Sequence, residues 1–117
     1  MKALVVDDSN INLKVTAKIL EKLNFDVETV LSGFECLEKI KVNKYDIIFM
    51  DIMMPEMDGV ETLNKLKEID NFNIPVIALT ADVQIGAKEK YISLGFNAYI
   101  GKPINIEELK LILEKFN

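Results

Sequence analysis

Ala3-Leu4-Val5-Val6-Asp7-Asp8 decides how this chain folds: four apolar residues in succession, then two carboxylates. An apolar run with no polar alternation is what a parallel strand covered by helices on both faces requires. The pattern returns three times. Ile47-Ile48-Phe49-Met50 stops at Asp51, Val76-Ile77-Ala78-Leu79 stops at Thr80, and Ala98-Tyr99-Ile100-Gly101 stops at Lys102-Pro103. A further run, Asp26-Val27-Glu28-Thr29-Val30, alternates and reads as an edge strand. Strands are therefore expected near 2–6, 26–30, 46–50, 75–79 and 98–101.

The stretches between them carry helical spacing, near 10–23, 33–42, 59–69, 83–94 and 105–116. Leu13, Thr16, Ile19, Leu20 and Leu23 form the core stripe of the first helix, and Leu109, Ile112, Leu113 and Phe116 that of the fifth. Ser32 with Glu35, Asp58 with Glu61, and Asn105 with Glu108 have the capping-box spacing that opens a helix. Asn24 and Gly95 stand where a left-handed residue closes a last turn. The fourth helix holds Gly86 and a sparse apolar stripe, the weakest of the five signals. Five βα units with right-handed crossovers make one α/β domain over 1–117, a doubly wound five-stranded parallel sheet with helices on both faces.

Composition narrows the function classes. Half the residues are hydrophobic and 28% are charged, the balance of an ordinary globular domain rather than a disordered segment. A net charge of −5 argues against a nucleic-acid footprint. The chain has no histidine, which excludes imidazole ligands, histidine triads and phosphohistidine chemistry of its own. One cysteine, Cys36, allows no internal disulfide and fits a reducing cytoplasm. No apolar stretch reaches the roughly 20 residues that span a bilayer, and the run after Met1-Lys2 is too short for a signal core.

Ligands of such sheets bind beyond the carboxyl ends of the strands. Asp7, Asp8, Asp51, Thr80 and Lys102 all end strands on that side, so three carboxylates, a hydroxyl and an ammonium are expected in one crevice. Each alone has a bland reading, since Asp-Asp is common turn chemistry and Lys-Pro is a turn. Turns, however, need no common side. Two carboxylates about 5 Å apart repel by roughly 3 kcal/mol at an effective dielectric of about 20. Either their pKa values rise or a divalent cation sits among them. Mg²⁺ suits a few carboxylates plus a phosphate, a carboxylate beside it can attack phosphorus, and Lys and a hydroxyl can stabilise the transferring oxygens.

Val5-Val6-Asp7-Asp8, Met50-Asp51-Ile52-Met53-Met54-Pro55-Glu56-Met57-Asp58-Gly59, Ala78-Leu79-Thr80-Ala81 and Tyr99-Ile100-Gly101-Lys102-Pro103 together resemble the receiver (response-regulator) domain family, in order and spacing along the whole chain. The resemblance implies the flavodoxin-like strand order 2-1-3-4-5. It implies Asp51 as phosphoacceptor, with Asp7, Asp8, Asp51 and the Met53 backbone carbonyl holding Mg²⁺. It further implies Thr80 as the switch hydroxyl, Tyr99 as the switch aromatic, Lys102 as the phosphate-pairing ammonium, and a cis Lys102–Pro103 bond that aims it. The donor would be a phosphohistidine of a histidine kinase or histidine phosphotransfer protein. The face of the fourth helix, fifth strand and fifth helix would meet a downstream target. Such a domain is a phosphoacceptor rather than an enzyme, cytoplasmic, with neither nucleic acid nor membrane as a direct partner. Ile11 and Val15, at the edge of the first helix's core stripe, with Pro103 and Ile104 across the crevice, are expected to form the donor's docking patch.

Other residues carry weaker readings. Asp58 caps the third helix and is left out of the site; Met54 and Met57 read as packing, since thioethers are poor partners for Mg²⁺. Cys36 has only Lys39 as a basic neighbour on its own turn, which argues against a redox role. Lys88 and Lys90 read as a solvated face. Rival functions are a haloacid-dehalogenase-like aspartyl-phosphate phosphatase, FMN binding on the same topology, and an unphosphorylated scaffold. The first needs a second Asp where Met53 stands, the second a hydroxyl- and glycine-rich loop where Asp7-Asp8 stands, and the third would have no use for the acid set. Nothing within 1–117 reads as an output domain, which leaves open a stand-alone regulator, a relay intermediate, or a receiver of a longer regulator or hybrid kinase. Asp8-Ser9-Asn10-Ile11-Asn12 and Leu79-Thr80-Ala81-Asp82 are similar to receivers of the last kind.

Overall fold

The apolar runs fold as the strands they predict, in a computed structural model that describes residues 1–116. Strands β1 (Lys2–Val6), β2 (Asp26–Val30), β3 (Ile47–Asp51), β4 (Val76–Thr80) and β5 (Ala98–Gly101) form one parallel sheet in the order β2-β1-β3-β4-β5. β3 and β4 are buried at every residue, whereas alternating β2 lies at an edge with only Val30 fully buried. Helices α1 (Asn10–Lys22), α2 (Gly33–Val42), α3 (Gly59–Lys67), α4 (Ala87–Ser93) and α5 (Ile106–Glu114) alternate with the strands.

The period of two along each strand divides the core between the faces. Ala3, Val5, Ile47, Phe49, Ile77, Leu79, Ala98 and Ile100 pack with Leu13 and Leu20 of α1 and Leu109 and Leu113 of α5. Leu4, Val6, Ile48, Met50, Val76 and Ala78 pack with Cys36 of α2, Leu63 and Leu66 of α3, and Ala87 and Tyr91 of α4. Met54 and Met57 are buried, and Cys36 is fully enclosed with its thiol pushed up to about 12 by burial, so it is protonated and unreactive.

Ends and caps follow local chemistry. The Ser32, Asp58 and Asn105 side chains accept the backbone N–H of Glu35, Glu61 and Glu108. Ser9 caps α1 in the same way through Asn12. Asn24 and Gly95 adopt the expected positive φ. Gly59 is required by close approach: a Cβ there would lie 2.5 Å from the Asp51 carbonyl oxygen. Its absence lets α3 begin directly against the end of β3.

Several boundaries differ from the sequence expectation. β3 and β4 each lie one residue later than expected, because Asp51 still pairs with Leu79 and Thr80 with Gly101. α3 ends at Lys67 rather than 69, its last turn tightening to i→i−3 bonds from Glu68 and Ile69. α4 starts at Ala87 rather than 83. Asp82 takes the Gln84 N–H on its side chain, and Gly86, at φ 88°, occupies the cap position with no side-chain cap. A side chain that captures a backbone N–H competes with the first helical turn.

Candidate functional site

Register, not loop shape, assembles the charged residues. Val6 pairs with Met50, so Asp7, one residue past β1, is level with Asp51. Asp7, Asp51 and Lys102 continue the columns Ala3-Val5, Ile47-Phe49 and Ala98-Ile100, and therefore lie on the α1/α5 face. Thr80 continues the column Val76-Ala78 on the other face, the face against which Tyr99 also packs. The charged trio and the Thr80-Tyr99 pair thus sit on opposite faces of the sheet at the carboxyl ends of its strands.

Lys102 Nζ donates to Asp7 Oδ2 at 3.1 Å and to Asp51 Oδ1 at 3.0 Å. Asp7 is 1% exposed and Asp51 5%, so both pairs are sheltered from the screening that makes surface ion pairs weak. Asp7 Oδ1 also accepts the Ser9 N–H at 2.9 Å, which ties the acid to the start of α1. Asp8 is exposed at the mouth. One oxygen from each of Asp7, Asp8 and Asp51 lies within 4.8 Å of the others. Burial raises the Asp51 pKa, and the Asp7 and Asp8 charges add to it against the Lys102 hydrogen bond. For Lys102, burial works against the ammonium, but Asp51 and then Asp7 outweigh it and the pKa is raised. The ammonium is thus held charged between two acids.

This donor set fits a magnesium ion. It is all oxygen, anionic and open on the Asp8 side, whereas the thioethers of Met54 and Met57 are in the core. Met53 follows Asp51 by two residues with its side chain 76% exposed, and the Lys102–Pro103 peptide bond is cis. Asp58 is a helix cap outside the cluster.

A family model described as the response regulator receiver domain matches residues 3–114. The chain belongs to that family. Among similar proteins, the signal transduction histidine-protein kinase BarA of Escherichia coli is 37% identical over 117 residues, 99% of this chain and 13% of the kinase. Hybrid signal transduction histidine kinase L of Dictyostelium discoideum is 39% identical over 122 residues, 98% of this chain and 7% of that protein. The receiver therefore spans a small fraction of these relatives. The receiver domain of a Pseudomonas aeruginosa sensor histidine kinase, with magnesium coordinated in its active-site cleft, superposes with a TM-score of 0.87 at 31% identity, covering 98% of this chain and 95% of that one. The Francisella response regulator 1452 receiver domain gives 0.86 at 32% identity over 99% and 98%.

The receiver also contains a network that sequence reading missed, centred on Asp82. Its N–H donates to Thr80 Oγ1 at 3.1 Å, and its carbonyl accepts the Tyr99 hydroxyl at 2.6 Å. Its carboxylate accepts the Tyr91 hydroxyl at 3.2 Å, with Lys90 3.7 Å away. The Tyr91 and Tyr99 rings stack at 5.8 Å and 5°. The one signal for this in the sequence is a carboxylate two residues after Thr80; nothing in the spacing marks Tyr91. Lys90, read as solvated, is exposed but reaches this carboxylate.

The residues expected to form a docking patch divide. Val15, Pro103 and Ile104, with Asn12, Thr16 and Lys102, line a groove of about 330 Å³ beside the acids. Ile11 is 75% exposed on the same helix, outside that lining.

Proposed function

We propose that this receiver accepts a phosphoryl group on Asp51 from the phosphohistidine of a histidine kinase or histidine phosphotransfer protein. What carries the reading is the buried Asp51 carboxylate, hydrogen-bonded to Lys102 at 3.0 Å with Asp7 and Asp8 oxygens within 4.8 Å. An Asp51 oxygen attacks phosphorus, the P–N bond breaks, and the imidazole leaves with that electron pair. The Lys102 ammonium stays paired with Asp7 and stabilises the transferring oxygens. Asp7, Asp8, Asp51 and the Met53 carbonyl would hold Mg²⁺, which would supply charge neutralisation at phosphorus. Domain 1–117 acts as a phosphoacceptor rather than a turnover enzyme: the position a phosphatase of this chemistry would give a second Asp is Met53. A cytoplasmic location is consistent with the enclosed free thiol of Cys36, and among the described residues no helix is long and apolar enough to cross a membrane.

The downstream target would bind the α4-β5-α5 face, where Ile92, Tyr99, Leu111 and Ile112 line a groove of about 520 Å³ between Lys88 and Lys115. Acetyl phosphate with Mg²⁺ is expected to add one phosphoryl group to the peptide carrying Asp51, read by mass spectrometry. An unmodified Asp51 peptide would overturn the reading. For docking, Ile11→Ala is expected to slow transfer from a phosphohistidine donor by about tenfold, the scale of a truncated apolar contact, with acetyl phosphate labelling unchanged. Equal loss with both donors would point to damage at the acids instead.

A further inference from the structure

Opposite its core stripe, α1 presents Ile11, Lys14, Val15, Lys18 and Lys22, all exposed and within an arc of about 100° at 3.6 residues per turn. The two apolar residues stand at the Asp7 end. Lys18 and Lys22 lie about 10 and 16 Å further along the axis from Ile11. None of the three lysines forms an ion pair among the described residues. The only acid on the helix is Glu21, so α1 is net +2 in a chain of net −5.

A charge run is ordinarily a solvated face, but this one has a cost. Lys14, Lys18 and Lys22 are i, i+4 neighbours, and like charges so spaced destabilise a helix by about 0.2–0.5 kcal/mol per pair. The row also continues directly from Val15, which lines the groove beside Lys102. We infer that this face selects its phosphodonor by charge: a helix with apolar side chains beside the phosphohistidine and a row of acidic side chains one to three turns away. The inference rests on the proposed function and names the partner's chemistry. Exposed charges of this kind steer encounter and reject wrong partners more than they add affinity. They also act within a Debye length that shrinks from about 10 Å at 0.1 M salt to about 3 Å at 1 M.

The test uses two phosphohistidine-bearing four-helix bundles of identical core, one with Glu and one with Lys at three docking-helix positions, each loaded with phosphoramidate. Transfer to the wild-type receiver is expected to be about tenfold faster from the Glu bundle near 0.1 M salt, with the preference vanishing near 1 M. The triple variant Lys14→Glu, Lys18→Glu, Lys22→Glu is expected to prefer the Lys bundle, while its labelling by acetyl phosphate matches wild type. Equal rates from both bundles at low salt, or no transfer from either by a receiver that acetyl phosphate labels, would overturn the inference. Failure of acetyl phosphate to label the wild type would instead remove the phosphoacceptor reading and this inference with it. Sedimentation of wild type, but not the triple variant, with phosphatidylserine vesicles, together with indifference to the bundles, would assign the lysines to an anionic membrane and equally overturn it.

Discussion

Asp51→Asn is expected to abolish labelling by acetyl phosphate and, in metal-free buffer at neutral pH, to raise the melting temperature. The first effect follows from losing the nucleophilic oxygen, and incorporation should fall to background. The second follows from the environment of the carboxylate. Burial, then the Asp7 and Asp8 charges, raise the Asp51 pKa despite the Lys102 hydrogen bond. On balance the folded state disfavours ionised Asp51. A carboxyl with a raised folded pKa contributes stability below its unfolded pKa and loses it as pH rises through the folded value. Asn does not ionise and avoids that loss. A gain of a few degrees is expected, the scale that about 1 kcal/mol produces in a domain of this size, and it should close as the pH is lowered into the range of an unfolded carboxyl. Mg²⁺ at ten times its dissociation constant should stabilise wild type by about 1.4 kcal/mol, and the Asn variant by less. Thermal melts across pH, with and without Mg²⁺, read all of this. Identical melts for the two proteins would rule out a shared crevice.

Thr80→Ala is expected to leave Asp51 phosphorylatable and to uncouple the α4-β5-α5 face from it. Thr80 is 2% exposed, on the strand next to Asp51, with its hydroxyl engaged by the Asp82 N–H. New phosphoryl oxygens compete for that hydroxyl. Drawing it toward Asp51 breaks the bond to Asp82, the residue on which the Tyr99 and Tyr91 hydroxyls converge. One such bond is worth about 1 kcal/mol, roughly a fivefold shift between two states, and the coupling must run in both directions. Beryllofluoride is expected to shift the NMR signals of residues 83–99 in wild type and to shift them far less in Thr80→Ala. An undiminished response in the variant, or none in wild type, would exclude the relay.

Apolar runs 3–6, 47–50 and 76–79 predict buried strands because burial on both faces leaves no place for polar alternation. The face each strand-end residue takes was not legible: the sequence expectation put Asp51 and Thr80 in one crevice, and it is the β3-β4 register, Asp51 beside Leu79, that turns Thr80 to the other face. The caps at Ser32, Asp58 and Asn105 and the positive φ of Asn24 and Gly95 are local chemistry, readable within four residues. The start of α4 was not readable: a helix was expected from 83, yet Asp82 takes the Gln84 N–H and holds the segment open until Ala87.

By itself, then, the sequence determined the alternation of elements, the covered and edge strands, and which residues end strands on the ligand side, because these depend on period, polarity and near neighbours. Tertiary structure alone decided the rest. That Lys102 reaches Asp7 and Asp51 at 3.1 and 3.0 Å depends on the β1-β3 and β4-β5 registers, between residues 95 and 51 positions apart. That Asp82 gathers Thr80, Tyr91 and Tyr99 depends on α4 folding back over β5 so that two aromatic rings stack. Neither distance is encoded in any local period; each is set by packing of the two cores against one sheet.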